Sequence, residues 1–226
     1  MATIFITGAS RGIGRELATR YLERGDTVYA AARSIEDLAP LKDQFGDRCI
    51  PISLDVTDGA AVDGLALVVT GSLDLLINNA GVIGPETPDA LSMDYPAFAR
   101  TLSVNTIAPL RVVHALLPRL REAEAAKIVT ISSQMGMMAY AKSDRIAYRA
   151  SKAAVNKVMQ ALATDLQPED IAVMMVHPGW VRTDMGGQNA DISVEESASG
   201  LMQVFDGLSL ETTGSFKAWN GQTVPW

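Results

Sequence analysis

The chain has 226 residues, of which 48% are hydrophobic and 20% charged, so it can bury a substantial core within one α/β domain. Its formal net charge of −7 opposes contact with a phosphate backbone, and we expect no nucleic-acid partner. No apolar run approaches the roughly 18 residues of a membrane span, which argues against a membrane partner.

Cys49 is the single cysteine of the chain, so no internal disulfide can form. It lies in an apolar run, where a small buried core residue is a simpler interpretation than a nucleophile. The first residues, MATIFITGAS, lack the charged start and long apolar stretch of a secretory signal. We therefore expect a cytoplasmic protein.

Strand-like and helix-like segments alternate along the whole chain. The predicted strands are apolar runs without polar alternation, as in a parallel sheet buried on both faces, and they cover residues 3–7, 27–33, 49–56, 73–81, 127–133, 171–179 and 214–218. The predicted helices cover residues 13–25, 35–45, 60–69, 95–123, 147–166 and 194–208. This order predicts a three-layer α/β/α Rossmann fold, a doubly wound parallel sheet of about seven strands, in a single domain over residues 1–226.

A glycine-rich turn, TGASRGIG, joins the first predicted strand to the first helix. Gly8 permits a tight turn, Gly12 lets the backbone approach a pyrophosphate, and Gly14 lets the helix pack on the strand. The helix N-terminus offers free N–H groups to phosphates, so we also include Ser10 and Ile13 among the expected contacts. A purely structural turn is the alternative, and the position after the first strand favours nucleotide binding.

Two arginines indicate whether the turn would bind NAD(H) or NADP(H). The second strand ends in AAAR, with Arg33 where NAD-binding folds usually place an acid for the ribose 2′-hydroxyl. Arg11 lies inside the glycine turn, and two guanidinium groups can bracket a 2′-phosphate. The alternative is a pair of solvated surface arginines. The pattern favours NADP(H) over NAD(H) as cofactor.

The pentapeptide YRASK places Tyr148 and Lys152 one helical turn apart on the same face. Such a pair can also arise by accident on a helix surface, so it needs structural context. Five motifs supply it: TGASRGIG, NNAG (Asn78–Gly81), ISS before Gly136, YRASK and HPGWVRT. In order and spacing they resemble the short-chain dehydrogenase/reductase family over essentially the whole chain. The endings GWVRTDMGG and GQTVPW resemble its carbonyl-reductase-like branch, which includes C-factor and sniffer-type proteins.

The resemblance implies an NADPH-dependent oxidoreductase that reduces a small aldehyde, ketone or quinone, with four catalytic residues. Tyr148 would donate the proton, and Lys152 would hold the nicotinamide ribose and lower the phenol pKa by roughly 1–3 units. Ser133 would orient the substrate, while Ser132 points to the other face of its strand. Asn105 would relay protons through water to Lys152. A turn-forming role for Ser133 and a helix-kink role for Asn105 are the alternatives.

Further cofactor contacts follow from the family pattern, at carboxyl ends of strands where open α/β sheets bind ligands. Asp55 would bond the adenine amino group, with Val56 against the ring. The adenosine side would also contact Asn79, Ala80 and Gly81, whereas Asn78 braces the sheet. After the sixth strand the expected contacts, with Thr183 on the carboxamide, are Pro178, Gly179, Val181 and Thr183.

The pocket and the partners are less constrained by the sequence. Met135, Met137 and Met138 suit an adaptable substrate wall, with core packing as the alternative. Little chain separates Thr183 from Val194, so we expect an open pocket with broad substrate tolerance.

Two isolated histidines predict no metal site. The resemblance implies a homodimer or homotetramer. A C-factor-like signalling or scaffold protein and an NAD-dependent alcohol dehydrogenase are the rival functions.

Overall fold

A computed structural model describes residues 1–86, 89–139 and 141–226 of the chain. In this part of the protein, seven parallel strands form one sheet in the order β3-β2-β1-β4-β5-β6-β7. The strands are β1 (Thr3–Thr7), β2 (Thr27–Ala32), β3 (Cys49–Ser53), β4 (Leu75–Asn78), β5 (Lys127–Ile131), β6 (Ala172–His177) and β7 (Phe216–Ala218). The order confirms the predicted doubly wound Rossmann fold, with its switch point between β1 and β4.

Helices cover both faces of this sheet. They are α1 (Gly12–Glu23), α2 (Ala39–Phe45), α3 (Gly59–Asp63), α4 (Leu65–Val68), α5 (Tyr95–Leu102), α6 (Ala108–Leu120), α7 (Ile146–Leu166) and α8 (Val194–Asp206). Side chains of α1, α2 and α8 pack with the sheet in one core, and those of α3, α4, α6 and α7 pack in the other. In β1, Ile4 and Ile6 face the first core and Phe5 the second. Burial on both faces explains the uninterrupted apolar strands. No helix among the described residues has the length and apolarity to cross a bilayer.

Two helices that the sequence predicted as continuous are each divided into two in the structure. The helix expected over residues 95–123 is divided into α5 and α6 by a π-helical segment, Ser103–Ile107. Pro109 has no N–H for the carbonyl of Asn105 in a continuous α-helix, which favours the wider turn there. The helix expected over residues 60–69 is divided into α3 and α4 at Gly64, a poor helix former.

The ends of β1 and β4 are tied together at the switch point. The Thr7 hydroxyl accepts hydrogen bonds from the backbone N–H groups of Asn79 and Ala80, each at 3.0 Å. The Asn79 side-chain amide donates to the carbonyls of Thr7 and Gly8, at 2.9 and 3.0 Å. A Cβ at Gly14 would lie 2.3 Å from both the Gly8 carbonyl oxygen and that amide nitrogen. The glycine turn, α1 and β4 therefore meet at a point where no side chain fits.

We expect Gly14→Ala to lower the free energy of unfolding by about 1–3 kcal/mol, because the added methyl group overpacks this junction. The matched control is Gly64→Ala, whose Cβ would come no closer than 3.6 Å to its neighbours. That variant should be neutral or slightly stabilising. Urea unfolding of both proteins measures the difference, and equal free energies for the two variants would contradict the packing argument.

Candidate active site

A cavity of about 500 Å³ opens at the carboxyl ends of the strands, beside the switch point. All but two of the predicted cofactor contacts line it: Gly8, Ser10, Arg11, Gly12, Ile13, Gly14, Arg33, Asp55, Val56, Asn79, Ala80, Gly81, Tyr148, Lys152, Pro178 and Thr183. These residues come from motifs as far apart as the first and last thirds of the chain. The topology therefore brings the separate motifs to one site.

Gly179 and Val181 are the two predicted contacts that do not line the cavity. Val181 is buried and forms an isolated parallel bridge with Ile192. Gly179 has a φ of +89°, and a Cβ there would lie 2.5 Å from the Ile192 side chain. Both residues lie against Ile192 in the loop between β6 and α8, and they shape that loop.

The cavity also has lining residues that the sequence analysis missed: Ala31, Ala32, Leu54, Thr57, Val82, Arg100, Val104, Ile131, Ser132, Arg182, Asp184, Met185 and Val194. Several of them adjoin predicted contacts in the sequence, and extending the motifs by one residue would have found them. Arg100 belongs to α5 and lies outside every motif. No pattern in the neighbouring sequence marks it as a residue of the cavity. Its position depends on how α5 crosses the sheet.

The glycine turn has the shape that a pyrophosphate requires. Gly8 and Gly12 adopt φ values of +68° and +54°, the left-handed region that favours glycine. Arg11 is the N-cap residue of α1 and makes no side-chain capping hydrogen bond. The first N–H groups of this helix therefore remain available to an anion in the cavity. This geometry fits a dinucleotide.

Cationic side chains surround the adenosine end expected for such a ligand. Arg11 forms an exposed ion pair at 2.9 Å with Asp184, which also lines the cavity. Arg33 makes no salt bridge within the described residues. Asp55 has a lowered pKa, mainly because Thr57 donates two hydrogen bonds to it and secondarily through the charges of Arg33 and Arg100.

Tyr148 and Lys152 face the cavity floor from α7. The Lys152 ammonium lies 5.6 Å from the centre of the Tyr148 ring and donates to the Ile131 carbonyl at 2.8 Å. The Ser133 side chain lies near that of Tyr148 and acts to lower the pKa of the phenol. Relative exposure is only 8% for Tyr148 and 5% for Lys152. The structure therefore brings three of the four predicted catalytic side chains together in a buried group.

Burial dominates the titration of this group. It raises the pKa of Tyr148 to about 12, against the opposing effects of the Ser133 side chain and the Arg145 charge. It lowers the pKa of Lys152 from 10.5 to about 8. The expectation that Lys152 holds the phenol pKa below 10 is wrong for this structure. Loss of hydration of the charged form is the main cause of the shift for both groups.

Asn105 lies in the π-helical segment with its amide fully engaged. Its Oδ1 accepts from the Val82 N–H at 2.9 Å, and its Nδ2 donates to the Val82 carbonyl and the Ser151 hydroxyl at 2.8 and 2.9 Å. A Cβ at Gly81 would lie 3.3 Å from Asn105 Oδ1 and 3.8 Å from Lys152 Nζ. Asn105 therefore joins the loop after β4 to α7 close to the lysine.

Both serines at the end of β5 have a neighbouring side chain on α7. Ser132 donates to Asn156 Oδ1 of α7 at 2.5 Å inside the core interface. Ser133 faces Tyr148 and also accepts from the Met135 N–H at 3.1 Å, which makes it the cap of a short 3₁₀ turn. The turn-forming alternative for Ser133 therefore coexists with its place beside the phenol.

The β6–α8 loop lines the cavity, whereas Met135, Met137 and Met138, the residues expected to form a substrate wall, do not. Met137 packs against the core, as the alternative interpretation held, whereas Met138 is exposed. The Thr183 hydroxyl accepts from the Gly186 N–H at 3.1 Å, which folds the loop back and places Asp184 and Met185 on the cavity wall. The short loop thus forms part of the cavity wall.

Comparisons with known proteins agree with this geometry. A family model described as short chain dehydrogenase matches residues 2–192. C-signal of Myxococcus xanthus is 44% identical over 162 residues, covering 70% of this chain and 96% of that protein. The carbonyl reductase Sniffer of D. melanogaster is 28% identical, with a TM-score of 0.94 and full coverage of both chains. An NADPH-bound carbonyl reductase from chicken fatty liver is 30% identical, with a TM-score of 0.93 over 100% of this chain and 99% of that one.

The chain thus matches the short chain dehydrogenase family in sequence and shares its fold with carbonyl reductases, one of them bound to NADPH. The chain belongs to the short-chain dehydrogenase/reductase family, and within it resembles the carbonyl-reductase and C-signal type.

Proposed function

We propose that the protein is an NADPH-dependent reductase of a small carbonyl compound, an aldehyde, ketone or quinone. The observation that carries the proposal is the buried group of Ser133, Tyr148 and Lys152, of which Tyr148 and Lys152 line the same cavity as the glycine turn. Carbonyl reduction needs a proton donor and a group that polarises the carbonyl, and this arrangement offers both.

Each side chain has a separate task in this reaction. The hydroxyls of Ser133 and Tyr148 would hold the substrate oxygen, and Tyr148 would give its proton to that oxygen as the alcohol forms. NADPH, when bound, supplies the hydride. The raised pKa of Tyr148 keeps the phenol protonated at neutral pH, as a proton donor requires. Lys152, still mostly protonated below a pKa of about 8, would hold the ribose hydroxyls.

NADPH is the proposed cofactor because the adenosine end of the cavity is cationic. Arg33 and Arg100 line this end. The second strand, β2, ends without the acidic residue that would accept a hydrogen bond from the ribose 2′-hydroxyl of NADH. The chain as a whole has a net charge of −7, so this local positive field opposes the global one. The NADPH-bound chicken carbonyl reductase supports the same choice.

Signalling is the second candidate, and the 44% identity to C-signal favours it. A protein that only binds a partner gains nothing from a buried lysine beside a phenol, since burying an unpaired ammonium costs stability. The buried pair therefore favours catalysis as the primary activity. A signalling role would use the same fold, and the turnover test below separates the two.

We expect Tyr148→Phe to reduce carbonyl turnover by roughly 10²–10⁴-fold, because the variant has no proton to give, while NADPH still binds. NADPH oxidation with a panel of aldehydes, diketones and quinones measures turnover, and nucleotide fluorescence measures binding. Tyr95→Phe is the control, since that phenol is exposed on α5. Full turnover by Tyr148→Phe, or none by the wild-type protein, would count against a reductase.

The cofactor preference depends on Arg33. We expect Arg33→Ala to weaken NADPH binding by about 10- to 100-fold and to leave NADH binding nearly unchanged, because a charge-assisted contact to the 2′-phosphate is lost. Arg15→Ala, which removes an exposed arginine of α1, controls for the change in net charge. Titration of each variant with both nucleotides gives the ratio of the dissociation constants for NADPH and NADH. An equal loss for NADPH and NADH would refute the assignment of Arg33.

The charge of Lys152 determines how kcat/KM for NADPH depends on pH. Because burial brings its pKa down to about 8, the ammonium is present below that pH and is lost above it. We expect kcat/KM for NADPH, which reports groups of the free enzyme, to be level near neutrality and to fall above about pH 8. A profile that stays flat well beyond that pH would show that the Lys152 charge is not needed.

A further inference from the structure

The loop between β6 and α8 contacts the glycine turn at two points beside the cavity. Arg11 Nη1 donates to Asp184 Oδ2 at 2.9 Å. A Cβ at Gly12 would lie 3.3 Å from the Thr183 side chain, so the loop lies directly against the first residue of α1. All four of these residues line the cavity. The loop therefore holds a carboxylate beside the turn that would receive the phosphates of a dinucleotide.

The loop keeps its shape through contacts other than this ion pair. The Thr183 hydroxyl accepts from the Gly186 N–H at 3.1 Å, and Trp180 Nε1 donates to the Gly186 carbonyl at 2.8 Å. The side chains of Arg11 and Asp184 are 72% and 78% exposed, and an ion pair so open to water adds little stability. A role in holding the loop therefore does not account for an acid at position 184.

The charge of Asp184 is opposite to that of most charged groups around it. Two acids, Asp55 and Asp184, line the cavity together with five cationic side chains, those of Arg11, Arg33, Arg100, Lys152 and Arg182. Asp55 accepts hydrogen bonds from the backbone N–H and the hydroxyl of Thr57. The Asp184 carboxylate, among the contacts of the described residues, bonds to Arg11 alone. It therefore neutralises a cation that would otherwise face an anionic ligand.

We propose that Asp184 sets the cofactor affinity of the site by competing with the phosphate groups of the dinucleotide for the Arg11 guanidinium. The inference rests on the proposed function, in which NADPH binds in this cavity. A guanidinium donates to a carboxylate and to a phosphate in the same forked geometry, so the two anions compete for the same N–H groups. Because the ion pair is exposed, a phosphate can displace the carboxylate at little cost.

The two partners of the ion pair should therefore have opposite effects on binding. Removal of the Asp184 charge frees the guanidinium for a phosphate, whereas removal of the Arg11 charge takes the donor away. A contact that only holds the loop against the turn would behave differently, because either substitution breaks it and both would weaken binding. Direct repulsion of the ligand by Asp184 would act even without Arg11. A double-mutant cycle separates these three cases.

The experiment measures the dissociation constants of NADPH and NADH for the wild-type protein, Asp184→Asn, Arg11→Gln and the double variant, by nucleotide fluorescence. We expect Asp184→Asn to bind NADPH about 2- to 5-fold more tightly than the wild type, and Arg11→Gln to bind it at least about 2-fold more weakly. In the Arg11→Gln background, the gain from Asp184→Asn should disappear.

The comparison of NADPH with NADH identifies the phosphate that Arg11 would bind. Both nucleotides contain the pyrophosphate, and NADPH alone carries the 2′-phosphate. A gain confined to NADPH would support the proposal and assign the released guanidinium to the 2′-phosphate. A gain for both nucleotides would support it equally and assign the guanidinium to the pyrophosphate.

Asp63→Asn is the matched control, because Asp63 forms an exposed ion pair with Arg111 at 2.6 Å and neither residue lines the cavity. It changes the net charge by the same amount and should leave nucleotide binding unchanged. Weaker or unchanged NADPH binding in Asp184→Asn would overturn the proposal, as would the same gain in the control or in the Arg11→Gln background.

The binding constants also separate this proposal from the proposed function. Absence of turnover in a wild-type protein that binds NADPH would refute the reductase function alone, and the four dissociation constants would still decide the role of Asp184. Absence of NADPH binding in every variant would overturn both.

Discussion

The site depends on one buried cation. The Lys152 ammonium is almost completely removed from water, and within the described structure it donates a hydrogen bond to the Ile131 carbonyl at the end of β5. Burying an ammonium is costly unless further partners bind it, and the cost appears as a pKa brought down to about 8. A group of ribose hydroxyls would supply such partners. Binding of such hydroxyls would offset part of the cost of burying the ammonium.

The surrounding fold explains how the cation is held in place. The switch point between β1 and β4 opens the cavity, and the Thr7 and Asn79 hydrogen bonds fix its rim. On the other side, the Ser132–Asn156 bond ties β5 to α7 one helical turn below Lys152. Catalytic side chains on a strand end and a helix are held more rigidly than side chains on loops. The β6–α8 loop contributes Arg182, Asp184 and Met185 to the cavity wall.

The sequence predicted those parts that depend on local pattern. Apolar runs gave the sheet, Gly14 marked a junction without room for a Cβ, and the spacing of Tyr148 and Lys152 placed both on one face of α7. It did not predict the π-helical segment around Asn105, because a wide turn depends on tertiary contacts as well as on a downstream proline. It also gave the wrong direction for the Tyr148 pKa, since burial depends on the packing of the whole cavity.

The most direct test of the account is a crystal structure of the protein with NADP⁺. The account predicts the pyrophosphate on the glycine turn at the start of α1, the ribose hydroxyls within hydrogen-bond distance of Lys152 Nζ, and the 2′-phosphate beside Arg33. A dinucleotide bound away from this cavity, or one bound in it with Lys152 bonded to protein atoms alone, would contradict the central claim.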